Sequence, residues 1–577
     1  MIFKSKSIDT FVLLSGLLLS GALLAPLPAT AQASSCTQLQ DEQELPVISV
    51  HCGQAPSATL DEQGHLWVTF VQDKQVYVAR SADKGVSFEP PVRVTPAPED
   101  AEFNGENRPK ILVHRKADGQ QVVLLSWTTR TSANFTGEIR FSRSTDGGKT
   151  YTPPRTINDD NLVTGHRFDS LFLSEAGTLY LTWIDKRDLE ASLQQDQDYA
   201  GAAIYYAVSR DLGKTFSQNY RVAHNSCECC RIAMAPYGKD QVSILWRQIF
   251  SEAGTDAQIR DHAIAVLAAD GTVSYQQRAS FDDWQINACP HHGPTMIAAT
   301  QGDDYHMSWF SAGNNNRGIT YARLDLSEGK HSQLMTVDAS PGAGHPFLAR
   351  QTDTLFLVWK TFDGSHTRLQ LIRSNDEGQS WTETETLLHT TENSDHPLLV
   401  SSAEGVFLSW WTQELGYQFR KLNPLPATLS RKTATPTAAA PADSFQPFTA
   451  ETFAAIKNKH AGKPFFVSLW SIDCPPCRIE LDMLGNMLAS HPDLPLVLIS
   501  TDPISERQAA ADILEEAGLA GHPSWIFADE FTQKLRYSID PQWFGELPRS
   551  YYYDAAHNNT AHSGIMTREM LADFIKP

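Results

Sequence analysis

Short apolar runs alternate with polar residues through roughly the first four hundred positions, and many of these runs end in an aromatic. Leu179-Tyr180-Leu181-Thr182-Trp183 and Leu355-Phe356-Leu357-Val358-Trp359 are two examples. Period-two patterning of this kind predicts half-buried strands. The aromatic marks fall at Phe70, Trp127, Trp183, Trp246, Trp309, Trp359 and Trp410. Their spacing of about fifty to sixty residues suits repeated four-stranded units. Each unit reads as a first strand, an aromatic-ended strand, a third strand, a tight turn and an outer strand. The last unit, His396 to Leu422, shows three clear strands. Leu45 to Val50 is expected to supply its fourth and close the ring, which removes exposed sheet edges.

The tight turn has its own signature. Ser81 to Phe88, Ser144 to Tyr151, Ser209 to Phe216 and Ser374 to Trp381 each read Ser-x-Asp-x-Gly-x-Ser/Thr with an aromatic at the eighth position. Asp accepts hydrogen bonds from turn amides, Gly takes a backbone angle that other residues avoid, and the aromatic pins the turn to the sheet. The motif resembles the Asp-box of the sialidase-like and BNR-repeat β-propellers. The resemblance implies the fold and not an activity, because the Asp-box is a structural turn in that family. Seven blades are expected, with six, the number in sialidases, as the alternative.

A change of character follows Leu422. Residues 423–447 are rich in Pro, Ala and Thr and read as a semi-extended linker. Beyond them, Pro464 to Trp470 is a buried-strand pattern, Cys474-Pro475-Pro476-Cys477 comes four residues later, and a helical stretch carries Ile479, Leu481, Met483, Leu484 and Leu488. Leu496 to Ser500 and Ser524 to Ala528 are further strand patterns, and Pro548 immediately precedes another. Strand, C-x-x-C and helix in that order form a redox arrangement. Half of a zinc site or a structural disulfide is the competing reading of C-x-x-C, but residues 448–577 hold no further cysteine to complete a zinc site.

Residues 448–577 resemble the TlpA-like branch of the thioredoxin superfamily, which includes periplasmic cytochrome-maturation reductases. The resemblance implies an exposed attacking cysteine at Cys474, its thiolate favoured by a helix N-terminus, and a resolving cysteine at Cys477. It implies a cis-proline at Pro548 that presents backbone to the substrate chain, and a proton-transfer role for Glu480. Two positions depart from common forms. Ser468 replaces a buried Asp, and Asp473 stands where an aromatic often precedes the first cysteine. A carboxylate at Asp473 is expected to oppose thiolate formation.

The first residues decide what these cysteines can do. Lys4 and Lys6 precede an apolar stretch from Phe11 to Leu27, with Ala29, Ala31 and Ala33 following. Residues 1–33 therefore read as a secretory signal peptide, cleaved after Ala31 or Ala33. No later run approaches the about 20 apolar residues that span a bilayer, so a periplasmic or secreted protein without a membrane anchor is expected. The 577 residues need two or more domains: a propeller over 34–422 and an α/β domain over 448–577, joined by the linker and expected to fold separately. A net charge of −20 excludes nucleic acid as a partner. Eight cysteines are too few for a disulfide-stapled scaffold.

Residues just before the first strands of successive units should ring one mouth of the central channel. They are His51-Cys52, Arg108, His166-Arg167, Cys229-Cys230-Arg231, Cys289-Pro290-His291-His292, His345 and His396. Three readings compete for the cysteines and histidines. They are disulfides with turn residues, a copper or zinc site drawing on Cys229, Cys230, Cys289, His291 and His292, or redox-active thiols serviced by the attached domain. Cys289 is expected within disulfide or shared-ligand range of Cys229 or Cys230, with Cys227 as the spare thiol and His51-Cys52 reaching the same mouth. The fold resemblance also invites a sialidase-like glycoside hydrolase, for which Arg108, Arg167 and Arg231 would form the arginine cluster. Asn107-Arg108-Pro109 departs from that family's Arg-Ile-Pro signature. The sequence thus points to a thiol–disulfide oxidoreductase, a reductant acting on protein thiols and disulfides with a redox partner protein and no required cofactor. A metal- or protein-binding propeller whose thioredoxin-like domain maintains its own cysteines is the alternative, and glycoside hydrolysis the lesser one.

Overall fold

A computed structural model describes residues 36, 47–131, 135–195, 199–251, 258–300, 302–422, 445–491, 495–520 and 522–575. These residues belong to one compact unit, 33–577. The expected signal peptide and most of the expected linker lie outside the described residues. Among the described residues no helix is long and apolar enough to cross a membrane.

From Gln54–Leu60 to Gly416–Lys421 the chain is almost entirely antiparallel meanders, each strand hydrogen-bonded to the next in sequence. This part of the molecule is a β-propeller. Two consecutive meanders are stitched edge to edge where Ser226 pairs with Gln248, giving an eight-stranded sheet. The aromatic marks Phe70, Trp127, Trp183, Trp246, Trp309, Trp359 and Trp410 all lie in the second strand of a meander and are buried. They fill the spaces between neighbouring sheets, so the strand pattern and the core are set by the same residues.

The Asp-box turns are built by hydrogen bonds within the motif. In the third, Asp211 Oδ1 accepts from Thr215 N at 2.8 Å and from Ser209 Oγ at 2.8 Å, and Oδ2 accepts from Thr215 Oγ1 at 2.7 Å. The same network recurs around Asp83, Asp146 and Asp376. Gly378 shows why the fifth position must be glycine. Its φ is +81°, and a Cβ there would lie 1.8 Å from the Tyr321 hydroxyl.

Ring closure differs from the expected strand exchange. The last sheet has three strands, Leu398–Ser402, Gly405–Thr412 and Gly416–Lys421. Residues 47–50 form no strand with it, and Leu45 lies outside the described residues. Gln72 instead binds this segment by side chain, donating to Val47 O at 2.9 Å and accepting from Ser49 N at 3.2 Å. The seam between first and last units is closed by packing of Val50, Phe70 and Tyr77 with Tyr417, and by Trp411 Nε1 donating to His51 O at 2.9 Å.

The terminal domain is a six-stranded mixed sheet. Phe445–Phe448, Ser524–Phe527, Leu496–Pro503 and Phe465–Trp470 run parallel in that spatial order, and Arg549–Tyr553 and Asn559–Ser563 continue antiparallel. Helices Thr452–Lys459, Pro475–Ser490, Arg507–Glu516, Thr532–Ile539 and Arg568–Ile575 alternate with the strands. The first strand begins at Phe445, inside the span expected to be linker. Phe445 and Phe448 are apolar and join the core of this sheet, so the boundary moves three residues earlier.

Contacts cross between the two parts. Phe310 packs on Phe544 with ring centroids 5.0 Å apart, and Phe362 packs on Phe531 and Tyr537 at 5.2 and 5.4 Å. Arg130 and Arg167 of the propeller pair with Asp473. The terminal domain is seated on the channel mouth.

Candidate functional site

Phe465–Trp470 is buried along its whole length and delivers the loop Ser471–Cys474 at its end. Asp502 braces that loop, accepting from Ser471 Oγ at 2.7 Å and Ile472 N at 2.8 Å. Burial, together with the nearby Asp473 charge, pushes the Asp502 carboxyl up to about 6 against these hydrogen bonds. Cys474 then caps the helix Pro475–Ser490, its Sγ accepting from Cys477 N at 3.2 Å. The two prolines occupy the first turn, where a missing N–H removes no helical hydrogen bond. Cys474 and Cys477 form a disulfide. Glu480, one turn further, is buried and accepts from Ser468 Oγ and Ser550 Oγ, each at 2.8 Å, and from Met566 N at 3.0 Å. Burial raises its carboxyl above the usual range. The Leu547–Pro548 peptide bond is cis.

Cys474 is not the exposed cysteine implied by the family resemblance. Its exposure is 0 %, and it packs within the core of the terminal domain's sheet. A narrow cavity between the two parts is lined by Arg167, Cys229, Cys289, His291, Asp473 and Pro475, among others. Asp473 is the acidic residue expected to hold back the Cys474 thiolate. Its charge is taken up by Arg130 Nη2 at 2.5 Å and Arg167 Nη2 at 3.3 Å. Burial opposes its ionisation, and the two arginines overcome this to hold the carboxyl below its ordinary value.

Across the cavity lies a buried thiol set. Cys229, Cys289 and His291 have ligand atoms within 4.8 Å of one another, as do Cys227, Cys229 and Cys230. Cys229 belongs to both triads, so Cys289 and Cys229 stand within reach of a shared ligand. All four cysteines are free thiols. Cys227 is not the spare thiol: its Sγ is 3.6 Å from that of Cys229 and accepts from Arg260 Nη1 at 3.1 Å. Burial works against ionisation of Cys227, but hydrogen bonds from Cys229 and Cys230 and the charges of Arg260 and Arg247 hold it well below an ordinary thiol. Burial pushes Cys229 and Cys230 well up.

The backbone of this set touches the terminal domain directly. Cys289 N donates to Leu547 O at 2.9 Å, and the two residues form an antiparallel bridge. A propeller cysteine is thus laid, strand-like, against the residue that precedes Pro548.

Two other expected members of the mouth stand apart. His291 has a φ of +52°, so the chain turns sharply between it and its neighbour. His292 consequently faces away from the thiols and stacks on His345, which stacks on His396, with centroids 4.4 and 3.4 Å apart. His51 and Cys52 do not reach the cluster either. His51 seals the seam with Trp411 and Tyr417, and Cys52 is disulfide-bonded to Cys36.

The arginines near the mouth are engaged. Arg108 forms a two-pronged pair with Asp395 at 2.9 Å, Arg167 pairs with Glu102, and Arg231 binds Glu106 at 2.7 Å. Glu106 is buried beneath the histidine stack. Burial raises its carboxyl, but Arg231 and His345 more than reverse this and hold it well below the usual range. An arginine cluster for a sugar carboxylate would need these guanidinium groups released. Arg130, Glu106, Arg247, Arg260 and Asp502 escaped the sequence reading. They sit in strands or loops without motif spacing, and only the fold brings them to the thiols.

The sequence matches no protein-family model and no curated protein. Among solved structures, it is similar to an ulvan lyase of polysaccharide lyase family PL25, with 11% identity, 68% of this chain and 94% of that one covered, and a TM-score of 0.43. An α-L-arabinofuranosidase from Fusarium graminearum gives 14% identity, 54% and 88% coverage and a TM-score of 0.36. The NanB sialidase from Streptococcus pneumoniae gives 8%, 65% and 69%, and 0.35. Likeness of this degree transfers no residue to this chain.

Proposed function

We propose that the protein is a periplasmic thiol–disulfide oxidoreductase in which a TlpA-like, thioredoxin-like domain reduces cysteines of the seven-bladed propeller on which it sits. The observation that carries this reading is the bridge between Cys289 and Leu547. It lays a cysteine-bearing segment beside the Cys474-Pro475-Pro476-Cys477 helix end. The sheet order of the terminal domain, with the C-x-x-C helix following a central parallel strand, supports the thioredoxin-like assignment.

In the reductive direction the exchange runs as follows. The Cys474 thiolate attacks Cys289 Sγ of a Cys229–Cys289 disulfide, and Cys229 leaves as thiolate. Cys477 then attacks Cys474 Sγ in the mixed disulfide, releasing Cys289 and closing the Cys474–Cys477 disulfide. Two electrons pass from the C-x-x-C pair to the propeller pair, and an external dithiol protein restores the reduced Cys474 and Cys477. Glu480 is one helical turn from Cys477 and serves as its proton store.

The test is a trap. Cys477→Ser should accumulate an intramolecular Cys474–Cys289 disulfide when the oxidised propeller is presented to the reduced site, detected by peptide mapping. Cys474 joined only to other proteins, or full turnover in this variant, would overturn the reading.

A further inference from the structure

The thiol set sits beside two buried cations, Arg247 and Arg260. Arg247 donates to the carbonyls of Arg260, His292 and Phe310. Arg260 donates to Ile286 O, to Gln258 Oε1 and to Cys227 Sγ. Among the described residues neither guanidinium has a carboxylate within ion-pair distance. Buried charges are tolerated only when compensated, so the sulfurs are left as the counter-charge. Other clusters of ligand-type side chains differ in this respect. The acids of Glu106–His345–His396 and Asp160–His166–Asp185 are paired with Arg231 and Arg187.

Distances favour an ion held by sulfur. The Cys227–Cys229 and Cys229–Cys230 sulfurs are 3.6 and 3.9 Å apart, and all three lie within 4.8 Å of one another. Metal–sulfur bonds of about 2.3 Å place thiolates about 3.8–4.0 Å apart around a shared ion. The set is already near that spacing. Its ligands are thiolates only, the soft donors that select cuprous and zinc ions. Structural zinc takes four ligands in a tetrahedron, whereas here three sulfurs converge, and Cys289 Sγ groups with Cys229 and His291 instead of with Cys227 and Cys230. Three thiolates, two guanidinium groups and one monovalent ion are electrically neutral together. A divalent ion would leave a buried positive charge.

We propose that Cys227, Cys229 and Cys230 form a three-sulfur site for a cuprous ion. Coordination replaces the remaining thiol protons, which pass to solvent, and involves no electron transfer because the ion binds already reduced. The site shares Cys229 with the proposed exchange and needs it reduced, so copper binding is measured on the chemically reduced chain, where its outcome is separate from that of the proposed reductase activity.

The experiment is an anaerobic titration of the full chain, reduced with a phosphine, using Cu(I) in competition with bicinchoninate. One equivalent should leave the chelator, with sulfur-only ligation in X-ray absorption. Cys227→Ser and Cys230→Ser should each weaken retention at least tenfold. Cys289→Ser and the Cys474→Ser/Cys477→Ser pair should bind as the parent does. Circular dichroism identifies any variant that fails to fold, and the parent titration decides the matter regardless. Copper left wholly with the chelator, unchanged retention in folded Cys227→Ser, or uptake of Zn(II) in preference to Cu(I) would overturn the assignment.

Discussion

Arg130 of the propeller donates from Nη2 to Asp473 Oδ2 at 2.5 Å, one residue before Cys474. The contact does two things at once. It joins the terminal domain to the propeller, and it offsets the charge that would otherwise disfavour a thiolate at Cys474.

Removing that guanidinium should therefore slow exchange without abolishing it. Arg130→Met leaves Arg167 to hold Asp473 alone. We expect the Cys474 pKa to rise and exchange at neutral pH to fall by about three- to tenfold. Thiolate absorbance followed against pH gives the first quantity and reduction of the propeller disulfide the second. An unchanged titration would show that Asp473 does not act on Cys474.

Cleavage within residues 423–444 should not separate the two parts. Aromatic contacts at Phe310–Phe544 and Phe362–Phe531, together with the Asp473 ion pairs, cross the junction. The expected outcome is co-elution of the cut pieces on gel filtration at low salt, with partial release at high salt as the partly exposed Arg130–Asp473 pair is screened. Immediate separation at low salt would contradict the docking described above.

Glu480→Gln preserves a hydrogen-bonding group for Ser468 and Ser550 but cannot exchange a proton. A buried carboxyl that relays protons to the resolving cysteine contributes on the order of a hundredfold. The variant should accumulate the Cys474 mixed disulfide, because the second step is the one slowed. Equal slowing by Glu480→Asp and Glu480→Gln would indicate packing and not proton transfer.

Asp502 gives a pH signature. Its folded-state pKa of about 6 lies above the ordinary aspartate value, so the native state holds the proton more tightly than the unfolded chain. The stability it contributes is fully present below the unfolded pKa and is lost as pH rises through about 6. Lowering the pH from 7 to about 5 should raise Tm in the parent through this group. The corresponding part of that rise should be missing in Asp502→Asn.

The turns offer a control remote from the chemistry. Asp211→Ala removes the acceptor for Thr215 and Ser209 and should cost about 1 kcal/mol, discounted for solvent access to the turn. Tm should fall by a few degrees with disulfide exchange unaffected.

Local features were legible in the sequence and long-range ones were not. The Asp-box networks and the buried aromatics Trp127 to Trp410 follow from patterns repeated within each unit, and the strand, C-x-x-C and helix order is contiguous. Proximity of Cys229 to Cys289 was legible because repeat register carries equivalent positions to one mouth. His291 and His292 mark where register stops helping, since one positive φ sends adjacent side chains to different clusters. Arg130 and Asp473 are 343 residues apart, and nothing in either neighbourhood announces the other.

The bridge from Cys289 to Leu547 also bears on competition. Any foreign chain that reads the same backbone edge contends with a rival carried on the same polypeptide. Such a rival acts at an effective concentration on the order of millimolar. A free protein disulfide at micromolar concentration therefore starts about a thousandfold behind, equivalent to about 4 kcal/mol. In the proposed exchange, discrimination against outsiders would arise from covalent connectivity, with no need of a shaped pocket that refuses them.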